Sequence, residues 1–306
     1  MQKLLISCFL VVIFLGLSMS RNLPWANDSD TEGVAIEIDT LYDQQGLLDG
    51  FSTRISTPVC EAGKCYAIQI NFHWDLIGRY QGYDTIAGEE LTKLDHIPFT
   101  QDDYQKLENI LSNDDSPLRH YQKDELVKKN SRVSEIDGFT GATIKEVKDN
   151  VIEGAVYSCY ILWHLAYGEI TDSLQAVVSS EFDTDLVQKM VSMNDQQVNY
   201  FLINHFSSED FSIYLPMILQ VVNSGSGYLP KNTIEKMPAD VFGDELAQNF
   251  FADKFPELNY FGQLALLKKL KWTKLNNRLK NTLTKNLTQR DSYRNELLLE
   301  ILDFNN

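Results

Sequence analysis

From about residue 170 onward the chain carries no strand signal. Amphipathic segments of helical period follow one another at 172–179, 184–193, 195–206, 208–222, 230–237, 240–252, 257–272, 274–287 and 291–303, separated by Asn, Gly, Pro and Asp. Such a series can bury its apolar stripes only by packing helix on helix, and short turns make neighbours antiparallel. The expectation is an all-α domain over 170–306, either a bundle or a solenoid-like stack. No strict repeat chooses between them. A domain of this kind normally binds partners and carries no chemistry.

The residues before it read differently. Val34-Ala35-Ile36-Glu37-Ile38 opens the folded part as a strand, and the clearest alternation in the chain runs from 65 to 76. There Tyr66, Ile68, Ile70, Phe72 and Trp74 share one face, and Ala67, Gln69, Asn71, His73 and Asp75 the other, the period of a half-buried strand. A loop-rich stretch is expected over 77–99. A helix then starts with Thr100 as N-cap and Asp103 three residues on, a capping-box pair, above a stripe of Tyr104, Leu107 and Leu111. Polar residues 113–135 lead onward. Strands, a loop and helices in this order predict an α+β domain over 34–169.

Residues 1–20 have the form of a signal peptide: Lys3, an apolar run from Leu4 to Leu17, and the small-x-small triplet Ser18-Met19-Ser20. The run is short for a membrane span, and an uncleaved anchor is the alternative. Cys8 would leave with the peptide. Residues 21–33 are expected to be a disordered leader. The expected destination is the periplasm or cell envelope. In an exported chain, Cys60 and Cys65 around Glu61-Ala62-Gly63-Lys64 read as a disulfide stapling a turn. Cys159 reads as a buried thiol on an apolar helical face, although its pairing with Cys60 or Cys65 stays open.

Asp137-Gly138-Phe139-Thr140-Gly141-Ala142-Thr143 reads as a glycine-containing turn delivering a threonine to the start of a long helix. Val147, Val151, Ala155, Cys159, Leu162 and Ala166 recur at helical spacing, and Gly168 stands where a cap belongs. At such a helix start, N–H groups lacking partners favour a phosphate. Lys145 and Lys148 would suit one, with Glu146 and Asp149 beside them. The plain reading is that Thr140 or Thr143 only caps the helix.

The string Asp-x-x-Thr-Gly-Ala-Thr resembles the flavinylation motif of the FMN-binding domain family, found in subunits of Na+-translocating and Rnf-type electron-transfer complexes and in exported flavoproteins. In that family a flavin transferase moves FMN from FAD onto the hydroxyl of the motif's last threonine, as a phosphoester. The resemblance implies FMN on Thr143, with Asp137, Thr140, Gly141 and Ala142 forming the recognition turn. It covers seven of 306 residues. The family pattern continues with Thr or Ser two positions after the acceptor, where this chain has Lys145. What it implies is an electron carrier with an unidentified redox partner, rather than a complete enzyme. The alternative is a non-catalytic exported interaction protein that works through its helical half, the motif being a turn.

The formal net charge of −16 argues against a nucleic-acid partner, which calls for a basic footprint. One segment runs the other way: 268–294 holds nine Lys and Arg against the single acid Asp291. Leu275, Leu279, Leu283 and Leu287 form a stripe beneath these charges. A basic amphipathic helix can lie on an anionic membrane or an acidic partner, and it can equally close the bundle with its charges solvated. His73, His96, His164 and His205 have no partner at ligand spacing and read as structural. No catalytic triad, paired-carboxylate signature or metal motif stands out.

Overall fold

The computed structural model describes residues 18–21, 38–60, 67–126, 147–288 and 292–305. The chain forms an α+β unit followed by an all-helical one, Met1–Val178 and Ser179–Asn306, the division falling within one helix.

Five antiparallel strands make up the sheet of the first unit in sequence order: β1 Ser18–Arg21, β2 Ile38–Tyr42, β3 Leu48–Pro58, β4 Ala67–Asp75 and β5 Tyr80–Thr85. β1 includes Ser18, Met19 and Ser20, which the sequence assigns to the end of the signal peptide, and Arg21, assigned to the leader; the first three pair with Leu41, Thr40 and Asp39, and Arg21 with Ile38. Residues 34–37 lie outside the described residues, and the expected strand there is represented by Ile38 at the head of β2. On the core face, Phe51 lies opposite Trp74, Thr53 opposite Phe72 and Ile55 opposite Ile70. All six are essentially inaccessible, so the face expected for β4 is the buried one.

Two turns share one chemistry. Asp43 closes the β2–β3 turn by accepting from the backbone N–H of Gln45 and Leu47, with Gly46 at φ 79°. Asp75 does the same at β4–β5 for Ile77 and Arg79, with Gly78 at φ 82°. In each, a short carboxylate satisfies two amides and glycine takes the left-handed position. The second turn creates β5 where a loop is expected over 77–99.

Helix α1, Gln101–Leu111, starts at Thr100 as expected: the Thr100 hydroxyl accepts from the Asp103 N–H, and the Asp103 carboxylate accepts from the Thr100 N–H. Beyond it, 113–126 is held by short 3-10 turns, with Ser116, Leu118 and Leu126 fully buried.

Over Val147–Ala155 the long helix expected from residue 144 is not formed; 144–146 lie outside the described residues. Val147–Ala155 runs as one 3-10 turn and a loop, and α2 spans Val156–Tyr167. Val151 is extended and Gly154 sits at φ 77°. Asn150 and Gly154 are poor helix formers, and β-branched Val147, Val151 and Ile152 add no helical preference. Val147, Val151 and Ala155 are nevertheless buried, so helical spacing there marks re-entry into the core rather than a helix. Ten of the twelve residues of α2 are buried, the property of a central helix. Gly168 ends it, donating to the His164 carbonyl at 2.7 Å, and α3 follows at Glu169–Ser180.

The second unit contains α4 Thr184–Ser192, α5 Gln196–His205, α6 Ser208–Ile213, α7 Leu215–Ser224, α8 Leu229–Lys236, α9 Glu245–Lys254, α10 Tyr260–Leu270, α11 Asn277–Lys285 and α12 Ser292–Phe304. Short polar residues cap these helices, some at the expected boundaries and others, Asp244, Asn259 and Asn276, a few residues inside the expected segments. Asp183, Asp195, Ser207, Asp244, Asn259 and Asn276 each accept from a first-turn N–H, and Pro216 and Pro230 lie in first turns. Contacts thread α4, α7, α9 and α11 into one row and α5, α8, α10 and α12 into another. That two-row stacking is solenoid-like.

Buried glutamines tie the rows to the loops. Gln248 donates to the carbonyls of Phe242 and Lys274 and accepts from the Asn276 N–H. Gln263 donates to Phe255 and Leu258 and accepts from Arg294. Leu279 and Leu283 of the basic segment are fully buried, so that stripe faces the helical core.

Candidate functional site

The motif lies between two anchored ends: Leu126 and Val147, both at 0% exposure, bracket it in sequence. Asp137, Thr140, Gly141, Ala142, Thr143 and Lys145 themselves lie outside the described residues. Lys148 is described, half-buried in the 3-10 turn Lys148–Asn150. Because α2 begins at Val156, Thr143 does not head that helix.

Residues 111–121, upstream of the motif, are pinned by α2. The Tyr167 hydroxyl donates to the Leu111 carbonyl at 2.6 Å, the Trp163 indole to Asn113 at 2.8 Å, and the Tyr160 hydroxyl to Tyr121 at 3.1 Å. His164 Nε2 meets the Leu118 carbonyl at 3.2 Å. Each ring buries an apolar body and places its polar tip on a main-chain carbonyl of this stretch. Trp74 joins the sheet to the same helix by donating to Ala166 at 3.0 Å. Burial pushes the Tyr167 hydroxyl up to about 12, so it stays protonated and can donate. These α2 rings are hidden in the sequence, because a helix buried all round shows no polar face to mark its role.

A cavity of about 210 Å³ opens where the first turn of α2 meets the loop Thr92–His96 and the ends of β3 and β4. Lys93, His96, Thr92 and Ser158 give it a polar side, and Val59, Ile68 and Val156 an apolar one. The loop is fixed by the Leu94 N–H donating to the Gly154 carbonyl at 2.7 Å and by a 2.7 Å ion pair from Lys93 to Asp103. Burial pushes the Asp103 carboxyl up, but hydrogen bonds from Lys93 and from the Thr100 N–H and hydroxyl outweigh it and hold it below its ordinary value. Asp95 and His96 both sit at φ 58°, uncommon for non-glycine residues. Ligand pockets run to roughly 300–1,000 Å³, so this cavity suits a small polar group rather than a whole FMN.

Cys60 borders the cavity; Cys65 lies outside the described residues, and the expected Cys60–Cys65 disulfide stays an expectation. Cys159 is a free thiol, fully buried and accepting from the Ile152 N–H at 3.3 Å. Burial pushes it up to about 12, which removes it as a nucleophile. His73 meets Asp84 at 2.9 Å, and His205 Nδ1 meets the Phe201 carbonyl at 2.9 Å. Among the described residues, no group of three or more His, Cys, Asp or Glu could hold a metal ion, and no helix is long and apolar enough to cross a membrane.

No family model, curated protein or solved structure matches the chain.

Proposed function

We propose that this chain is an exported flavoprotein electron-transfer module that carries FMN as a phosphoester on Thr143. One observation carries the reading: the string Asp137-Gly138-Phe139-Thr140-Gly141-Ala142-Thr143. The string belongs to the α+β unit and is bracketed by buried Leu126 and Val147, so an attached group would be tethered near a folded core.

The described residues offer FMN only a partial fit. The cavity is smaller than the whole cofactor needs, and Lys148 is the sole described member of the expected set. Bound flavin would supply reversible electron transfer, while the protein positions it and tunes its potential. Thr143 would hold the phosphate by a covalent bond, so retention would not depend on a closed pocket.

The test is the intact mass of the protein made with a flavin transferase in the exported compartment, beside Thr143→Ala. The expected result is one FMN less a water on the wild type and none on the variant. Wild type without flavin, while a known acceptor domain made in the same host carries it, overturns the reading.

A second reading, an interaction protein acting through its helical unit, is favoured by one observation. That unit exposes Tyr228 (61%) beside Phe261 (52%), and Trp272 (70%) beside Phe304, to solvent, and aromatic residues are the ones that anchor interfaces.

A further inference from the structure

Two rings project from the helical unit where α10 and α12 end. Trp272 is 70% exposed and Phe304 37%, and they meet edge to face at 5.6 Å and 85°. Lys271 Nζ lies 5.4 Å from the Trp272 ring centre, and Lys274 Nζ lies 4.9 Å from that of Phe304. Two adjoining exposed rings rimmed by lysines form a contiguous apolar patch of the kind that marks an interaction site.

The backbone beneath the rings is fixed. The Asn305 side chain accepts from the Leu275 N–H and donates to the carbonyls of Thr273 and Ile301. Lys280 Nζ donates to the Asn305 carbonyl, and Gln248 donates to that of Lys274. These bonds join the loop after α10 to the end of α12, so the rings are presented without ordering a mobile segment. That reduces the entropy lost on binding.

Charge selects the partner. Of the surrounding bases, Lys271 pairs with Glu300 and Arg278 with Asp253, while Lys269 is spent on the Met237 carbonyl. Lys268 and Lys274 are exposed, and among the described residues no carboxylate pairs with either. A basic strip with two aromatic anchors thus stands on a chain of net charge −16. We infer that this patch docks an acidic peptide segment of a partner protein. An apolar side chain of that segment lies against Trp272 and Phe304, and its carboxylates meet Lys268 and Lys274.

An anionic membrane fits less well. The leucines that would enter it, Leu279 and Leu283, are fully buried. A charged plane also meets far more of an acidic protein than the strip, whereas screening over about 8 Å lets a narrow peptide feel the local lysines. The inference does not depend on flavin at Thr143.

The probes are short fluorescent peptides built from Glu, Asp and Ser around one central Phe, Leu or Ser, with Lys-for-Glu counterparts, read by anisotropy on the full chain. Phe- and Leu-centred acidic peptides bind, Ser-centred ones bind more weakly, and high salt releases them. Trp272→Ala weakens binding by about tenfold, and Lys268→Glu with Lys274→Glu abolishes it. A blue shift of tryptophan emission reads the same contact in the unaltered protein. The inference is overturned if acidic peptides bind no better than the Lys counterparts or if Trp272→Ala binds them unchanged. It is also overturned if the protein instead binds phosphatidylglycerol vesicles through Trp272.

Discussion

Trp74→Phe isolates the joint between the sheet and α2. The indole is 2% exposed, packs edge-on against Phe72 at 5.8 Å and donates to the Ala166 carbonyl at 3.0 Å. Ala166 lies in the last turn of α2, where carbonyls lack helix partners and chain direction changes at Gly168. Phenylalanine keeps one ring but removes the donor. A buried carbonyl left unpaired costs about 1–3 kcal/mol, and the smaller ring adds roughly 1–2 kcal/mol of lost packing. A total of about 3 kcal/mol lowers the Tm of a unit this size by roughly 6–12 °C. Far-UV circular dichroism during thermal and urea unfolding reads both quantities. Phe72→Leu is the comparison, because Phe72 is equally buried on the same face and donates nothing. If Trp74→Phe costs no more than Phe72→Leu, the indole N–H contributes nothing and the account of this joint is wrong.

Two further perturbations address local chemistry. Thr100→Ala removes the α1 cap and costs about 1 kcal/mol near neutral pH by urea unfolding. Asp103 has a lowered folded pKa, so its contribution is full above the ordinary carboxylate value of about 4 and is lost as pH falls through the folded value. The Thr100 bonds help hold it down, so the gap between Thr100→Ala and wild type narrows on acidification; a gap that widens contradicts this assignment. Gly168→Ala would place a Cβ 2.4 Å from the His164 carbonyl, a main-chain atom of α2. It costs about 1–3 kcal/mol as overpacking, and an unchanged Tm would show that the chain relaxes there freely.

Much of the helical unit was legible because its boundaries are chemical. Asp183, Asp195 and Ser207 stand at or beside the expected boundaries and cap the next helix, while Asp244 and Asn276 cap from inside expected segments and set the true starts of α9 and α11. Two expected segments divide: 208–222 at Tyr214 before Pro216, because proline suits a first turn rather than a helix interior, and 240–252 at Asp244, between a 3-10 turn and α9. In the α+β unit β4 was legible by its period, whereas β3 and β5 were not anticipated. β5 follows an Asp-x-x-Gly turn, Asp75 to Gly78, that repeats the chemistry of Asp43 to Gly46; the pair of turns was a signal in the sequence. The cavity loop gave none, since left-handed Asp95 and His96 carry no glycine to mark them.

The misreading of 147–155 bears on chemistry. Val147, Val151 and Ala155 at intervals of four satisfy the helical rule because each turns inward, and a looping chain can do that as well as a helix. What decides the matter is the residues between them: Asn150 within a 3-10 turn and Gly154 at φ 77°, in a left-handed conformation that would break a helix. The helix dipole acts within its first turn, and that turn belongs to Val156, beside the cavity, not to Thr143. On the proposal of a phosphoester at Thr143, selection would fall to the string Asp137 to Thr143 itself. That proposal predicts, by intact mass, that Thr143→Ala loses the flavin while substitutions at Lys93 or Gly154, which line the cavity, keep it; loss of flavin from the cavity variants would refute the separation.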